Sequence, residues 1–84
     1  MRYEVELKPR AGKDLLRMPK ADAARVVNAL EKIENDLAGD VKRLTAFAPE
    51  YRLRVGDYRV LFEIEQNNRV VVYRVRHRRE SYRS

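Results

Sequence analysis

The chain has 84 residues, with 19 lysines and arginines against 13 aspartates and glutamates, a net charge of +6 and no cysteine. That length suits one domain over residues 1–84 with a modest core and no separate cofactor domain. The missing cysteines exclude a disulfide framework and a thiolate site, and no apolar run approaches a membrane span.

The N-terminal MRYEVELKPR lacks the apolar stretch of a signal peptide, so the expectation is a soluble, cytoplasmic protein with no membrane partner. Within it, RYEVELK (2–8) alternates, setting Tyr3, Val5 and Leu7 on one face and Arg2, Glu4, Glu6 and Lys8 on the other. This predicts a half-buried strand. Pro9 ends it and suits a first helical position. PRAGKDLLRM then reads as a short helix with Leu15 and Leu16 inward, broken at Pro19. A longer helix follows in KADAARVVNALEKIENDL, where Ala23, Val26, Val27, Leu30, Ile33 and Leu37 gather into one stripe. Gly39 is placed to end it.

Residues 40–50 show no period and read as a connector, with Leu44 and Phe47 tucked into the core edge. Three strands are predicted next, at 51–55, 58–65 and 70–76, joined by turns at Gly56-Asp57 and at QNNR (66–69). Alternation puts Tyr51, Leu53, Val55, Tyr58, Val60, Phe62, Ile64, Val71, Tyr73 and Val75 on one face. The helical stripe is its natural cover. The opposite parity shows Arg52, Arg54, Arg59, Arg74 and Arg76. The fold class is therefore α+β, βααβββ, with a helical hairpin on one face of a small, mostly antiparallel sheet.

The charge is unevenly placed. Residues 1–50 hold ten basic and nine acidic side chains; residues 51–84 hold nine basic and four acidic, and all nine bases are arginine. Lysine would solubilise equally well. Arginine adds a planar fork of donors that grips phosphate or carboxylate and stacks on bases. Nucleic acid, an acidic protein partner, or both are the implied ligands. One histidine and scattered carboxylates give no metal-ligand spacing, and no cofactor is expected.

The order βααβββ, the string YRLRVGDYRV (51–60) and the C-terminal HRRE followed shortly by tyrosine resemble the RelE/ParE toxin superfamily of bacterial toxin–antitoxin systems, its RelE branch above all. The resemblance implies a metal-independent endonuclease that cleaves mRNA in the ribosomal A site. It implies catalytic roles for Arg59, Arg78 and Tyr82, and RNA contacts from Arg52 and Arg54. The same cationic face adds Arg74 and Arg76, and Arg79 lies one register from Arg78. Two departures stand out: the tyrosine follows its arginine closely, and the chain stops two residues later, without a C-terminal helix.

RNA carries its own nucleophile, so such a site must align the 2′-OH, stabilise charge on the phosphorane and move protons. Arginine cannot serve as the base. Tyr82, His77 and Glu80 are the candidates, although His77 shares the parity of Val75 and so points inward, which favours a structural role. The implied partners are the ribosome, mRNA and a cognate acidic antitoxin that folds as it wraps the toxin and displaces the C-terminal tail. The alternative within the superfamily is a ParE-like toxin that inhibits DNA gyrase by binding, without hydrolysis.

Overall fold

The computed structural model describes residues 2–44 and 48–81. In chain order it contains β1 (Glu4–Leu7), α1 (Pro9–Arg17), α2 (Lys20–Glu34), β2 (Asp40–Arg43), β3 (Tyr51–Val55), β4 (Tyr58–Glu65), β5 (Arg69–His77) and α3 (Arg78–Ser81). The five strands form one sheet in the order β1-β5-β4-β3-β2. Only the β1–β5 pair is parallel, with Glu4 opposite Arg69 and Leu7 opposite Val72. The architecture is α+β, two helices on a mostly antiparallel sheet, as the sequence indicates.

One face of the sheet meets the helices. Ala11 of α1 and Val26, Leu30 and Ile33 of α2 pack on Leu53, Val60, Phe62, Val70, Val72 and Val75. Burying each large apolar side chain is worth about 1.5–3 kcal/mol. Pro9 occupies the first turn of α1, where its missing N–H costs nothing.

Five details differ from the expectation. Leu16 is 87% exposed and Val27 45% exposed. The inward faces are taken instead by Ala11 and Leu15 on α1, with Met18 just past its end, and by Val26, Leu30 and Ile33 on α2, at helical spacing. The second helix ends at Glu34, because Asp36 and Leu37 adopt left-handed backbone (φ 69° and 54°); Leu37 still reaches the core.

The connector contains a strand, β2, in which Val41 sits opposite Leu53. Gly39 permits it: its φ is +130°, and a Cβ there would lie 2.9 Å from Leu53 Cδ1. Leu44 is half-buried and donates its N–H to Glu50 O, whereas Phe47 lies outside the described residues. One helical turn, α3, follows β5 where no helix is expected.

The fifth difference is a β-bulge. Val75 pairs with Val60 and Arg74 with Leu61, but Phe62 pairs with Val72, so Tyr73 is an extra residue in β5. Upstream of it the faces exchange. Val70 and Val72 therefore enter the core in place of Val71 and Tyr73.

Candidate functional site

Strand register assembles the sheet face that the helices leave open. Arg54 lies opposite Arg59, and Arg59 opposite Arg76, so three arginines stand abreast on β3, β4 and β5, with Asp40 of β2 opposite Arg54 at the end of the row. The next row outward from the hairpin turn runs Lys42, Arg52, Leu61, Arg74. Like charges directly opposite one another destabilise a sheet. A row of three guanidinium groups lowers its energy by taking an anion.

Arg59 sits at the centre of that row and is only 7% exposed. Its Nη1 donates to the carbonyl of Gly56 at 2.9 Å and to that of Tyr58 at 3.0 Å. Both acceptors belong to the β3–β4 hairpin, which turns at Gly56 with φ +56°. The hairpin thus fixes the guanidinium by its inner edge. The Nε atoms of Arg52 and Arg59 are buried and have no hydrogen-bond partner among the described residues. Such donors are costly to leave unmade and suit a ligand that supplies acceptors.

Arg74 is held at the rim. Its Nε donates to Asp14 Oδ2 at 2.8 Å and its Nη2 to Oδ1 at 3.2 Å, while the same Oδ2 accepts the Val75 N–H at 2.9 Å. β1 is too short to pair with this part of β5, so α1 supplies a carboxylate instead. Burial works to raise the Asp14 carboxyl. The hydrogen bonds from Arg74 and Val75, with the charges of Arg74 and Arg76, outweigh it and hold the group below its ordinary 3.8.

α3 bends back toward the same hairpin. The Arg78 N–H donates to Asp57 O at 2.7 Å, and Arg78 Nε stands 3.9 Å from Asp57 Oδ1. The Arg79 N–H donates to His77 Nδ1 at 3.2 Å. His77 is paired with Tyr58, their rings edge to face at 5.5 Å, and Tyr58 packs against the core. His77 therefore lies on the helix side of the sheet, away from the arginine rows. Tyr82 and the Glu80 side chain lie outside the described residues.

The far end of the open face is acidic. Glu63 and Glu6 flank Val71 there, and Arg69 is paired with Glu65 at 2.6 Å and with Glu6 at 3.8 Å. The cationic footprint is confined to the hairpin end. Sequence reading places Arg52, Arg54, Arg59 and Arg76 together there, as the register does, and misses Lys42, whose four-residue strand is too short to show alternation. It also misses Asp14, which no local pattern connects to Arg74. Among the described residues no cluster of His, Asp and Glu could hold a metal ion, and no helix is long and apolar enough to cross a membrane.

The chain as a whole is similar to known toxins. The family model of the ParE toxin of type II toxin–antitoxin (parDE) systems matches residues 5–82. Putative toxin RelE1 of Methanocaldococcus jannaschii is 29% identical over 84 residues, covering 95% of this chain and 93% of that protein. Toxin RelE3 of the same organism is 32% identical over 75 residues, covering 83% and 84%. The toxin–antitoxin complex RelBE2 of Mycobacterium tuberculosis contains a chain that superposes with a TM-score of 0.78 at 28% identity, over 92% of this chain and 99% of that one.

Proposed function

Because the chain belongs to the RelE/ParE superfamily of type II toxin–antitoxin toxins, we propose that it halts translation as an endoribonuclease acting on mRNA in the ribosomal A site. The observation that carries this reading is the row Arg54–Arg59–Arg76, with Arg59 buried and fixed by two hairpin carbonyls.

The chemistry needs little more than such a row. The 2′-oxygen attacks the adjacent phosphorus and its proton leaves to a base. Negative charge then builds on the two non-bridging oxygens. The P–O5′ bond breaks, and the leaving oxygen takes a proton, giving a 2′,3′-cyclic phosphate and a 5′-OH. Guanidinium groups held in place before reaction stabilise that charge without reorganising, and removing one donor of this kind costs about 10²–10³ in rate. Arg59 is the central stabiliser. Arg78, tethered to Asp57 at the same hairpin, is the second. Arg52, Arg54 and Lys42 hold neighbouring phosphates, and Arg79 adds charge beyond the strand. Since His77 faces the helices, Tyr82 and Glu80 remain as candidate proton acceptors, and the resemblance favours Tyr82.

The proposed partners are the ribosome, mRNA and an acidic antitoxin, the last supported by the similar toxin whose structure is that of an antitoxin complex. The proposed setting is the cytoplasm. The match to the ParE family model favours a second reading, in which the same face binds DNA gyrase without hydrolysis. Primer extension on mRNA from cells induced for the toxin separates the two. Cuts inside translated frames, clustered at one codon position, are expected; intact mRNA with accumulating DNA breaks would select the gyrase reading.

A further inference from the structure

We propose that Tyr73 is a nucleobase-stacking residue of the arginine face, an inference that rests on the RNA-cleaving reading above. The bulge is its origin. With Tyr73 as the extra residue opposite the Leu61–Phe62 step, Val71, Tyr73, Arg74 and Arg76 all take the open face. An unbroken strand would have put Tyr73 under the helices. Bulges gather beside active sites because they re-aim a side chain in this way.

The surroundings of the ring suit a base. Val71 is fully buried yet stands outside the helix-side core, so the open face carries an apolar patch of its own beside half-buried Leu61 and Tyr73. At one end of this patch Leu61 belongs to the Arg52 row; at the other, Glu63 and Glu6 flank Val71. A phosphate path that leaves the arginines meets carboxylates there, so the next nucleotide is held by its base rather than by its phosphate. The Lys8 ammonium stands over the Tyr73 ring, 5.9 Å from its centroid, so the platform already holds a cation on one face and a base would stack on the other. Aromatic rings flanked by cations are how single strands are bound without sequence readout.

The test compares wild type, Tyr73→Phe and Tyr73→Leu in three measurements: anisotropy binding of a single-stranded oligoribonucleotide, binding of inorganic polyphosphate, and cleavage of ribosome-bound mRNA. Tyr73→Phe should match wild type throughout. Tyr73→Leu should lose roughly 5- to 150-fold in oligoribonucleotide affinity and in kcat/KM, mainly through KM, with polyphosphate binding unchanged. If Tyr73→Leu melts early, Tyr73→Ile, β-branched and suited to a strand, takes its place. RNA binding and cleavage equal to wild type, or equal losses for RNA and polyphosphate, overturn the stacking role alone. A wild-type protein that binds polyphosphate but neither binds nor cuts RNA overturns both the stacking role and the RNA-cleaving reading.

Discussion

Asp14 and Arg74, 60 residues apart in the chain, are joined by two hydrogen bonds of 2.8 and 3.2 Å, and the same carboxylate caps the open edge of β5 at Val75. The side chains are mostly buried, at 13% and 27% exposure, so solvent screens the pair only in part. One carboxylate thus ties α1 to the strand that carries Arg74 and Arg76.

Asp14→Asn should therefore cost about 1–3 kcal/mol at neutral pH. The sign of its pH dependence follows from the lowered carboxyl. A group whose folded value is depressed contributes stability above its unfolded value, near 3.8, and loses it as pH falls through the folded value. The gap between wild type and Asp14→Asn should be full well above 3.8 and should narrow as pH falls through the lowered folded value. Urea denaturation at both ends checks this. A gap independent of pH would show that Asp14 acts by shape and not by charge.

Arg59 combines a structural role with its proposed place in the site. Alternation alone suggests that its removal spares the fold, but its burial and its two bonds to hairpin carbonyls revise this. Arg59→Ala should abolish growth inhibition and also destabilise the protein by about 1–3 kcal/mol. Arg59→Gln, which keeps a donor for Gly56 O, should stay closer to native stability and still be non-toxic. Toxicity of Arg59→Gln at equal expression would remove Arg59 from the site.

Arg78 and Arg79 are adjacent but differently placed. The Arg78 side chain reaches toward Asp57 at the hairpin, whereas the Arg79 backbone turns toward His77 on the helix side. Arg78→Ala should reduce growth inhibition more than Arg79→Ala, with little change in melting temperature for either. Equal, mild effects would mean that this segment contributes only charge.

Gly56 carries φ +56°, and an added Cβ would stand 3.0 Å from the mobile end of the Arg25 side chain, which can move aside. The strain is therefore mainly in the backbone. Gly56→Ala should cost about 1 kcal/mol, and activity should fall further than stability because the Gly56 carbonyl orients Arg59. Thermal melting and the growth assay together separate the two effects.

Much of the fold was legible in the sequence because its signals are local. Pro9 and Pro19 punctuate the helices, Gly56-Asp57 makes the hairpin, and period-two alternation lays Arg52, Arg54 and Arg59 on one face. What escaped is set by tertiary pairing. The bulge at Tyr73 depends on how β5 meets β4, and inside β5 the run VVV hides it by offering an apolar side chain to either face. β2 exists because Leu53 accepts Val41 beside it. Leu16 and Val27 resemble core residues until α1 and α2 take their angles on the sheet. The arginine row was legible as a set of residues; that Arg59 is a buried, hairpin-locked group was not.

The parallel pairing of β1 with β5 has a consequence in time. β5 is an interior strand of the sheet, between β1 and β4, although β1 lies near the start of the sequence and β5 near its end. At about 5–20 residues per second, the ribosome needs roughly 3–13 s to pass from one to the other. Until β5 emerges, β1 has no partner strand, Asp14 has no Arg74, and the third arginine of the central row does not exist. The N-terminal half of the nascent chain is therefore an open helical hairpin with its apolar stripe exposed. The complete arginine row, with Arg76 beside Arg59, therefore exists only once β5 has been made.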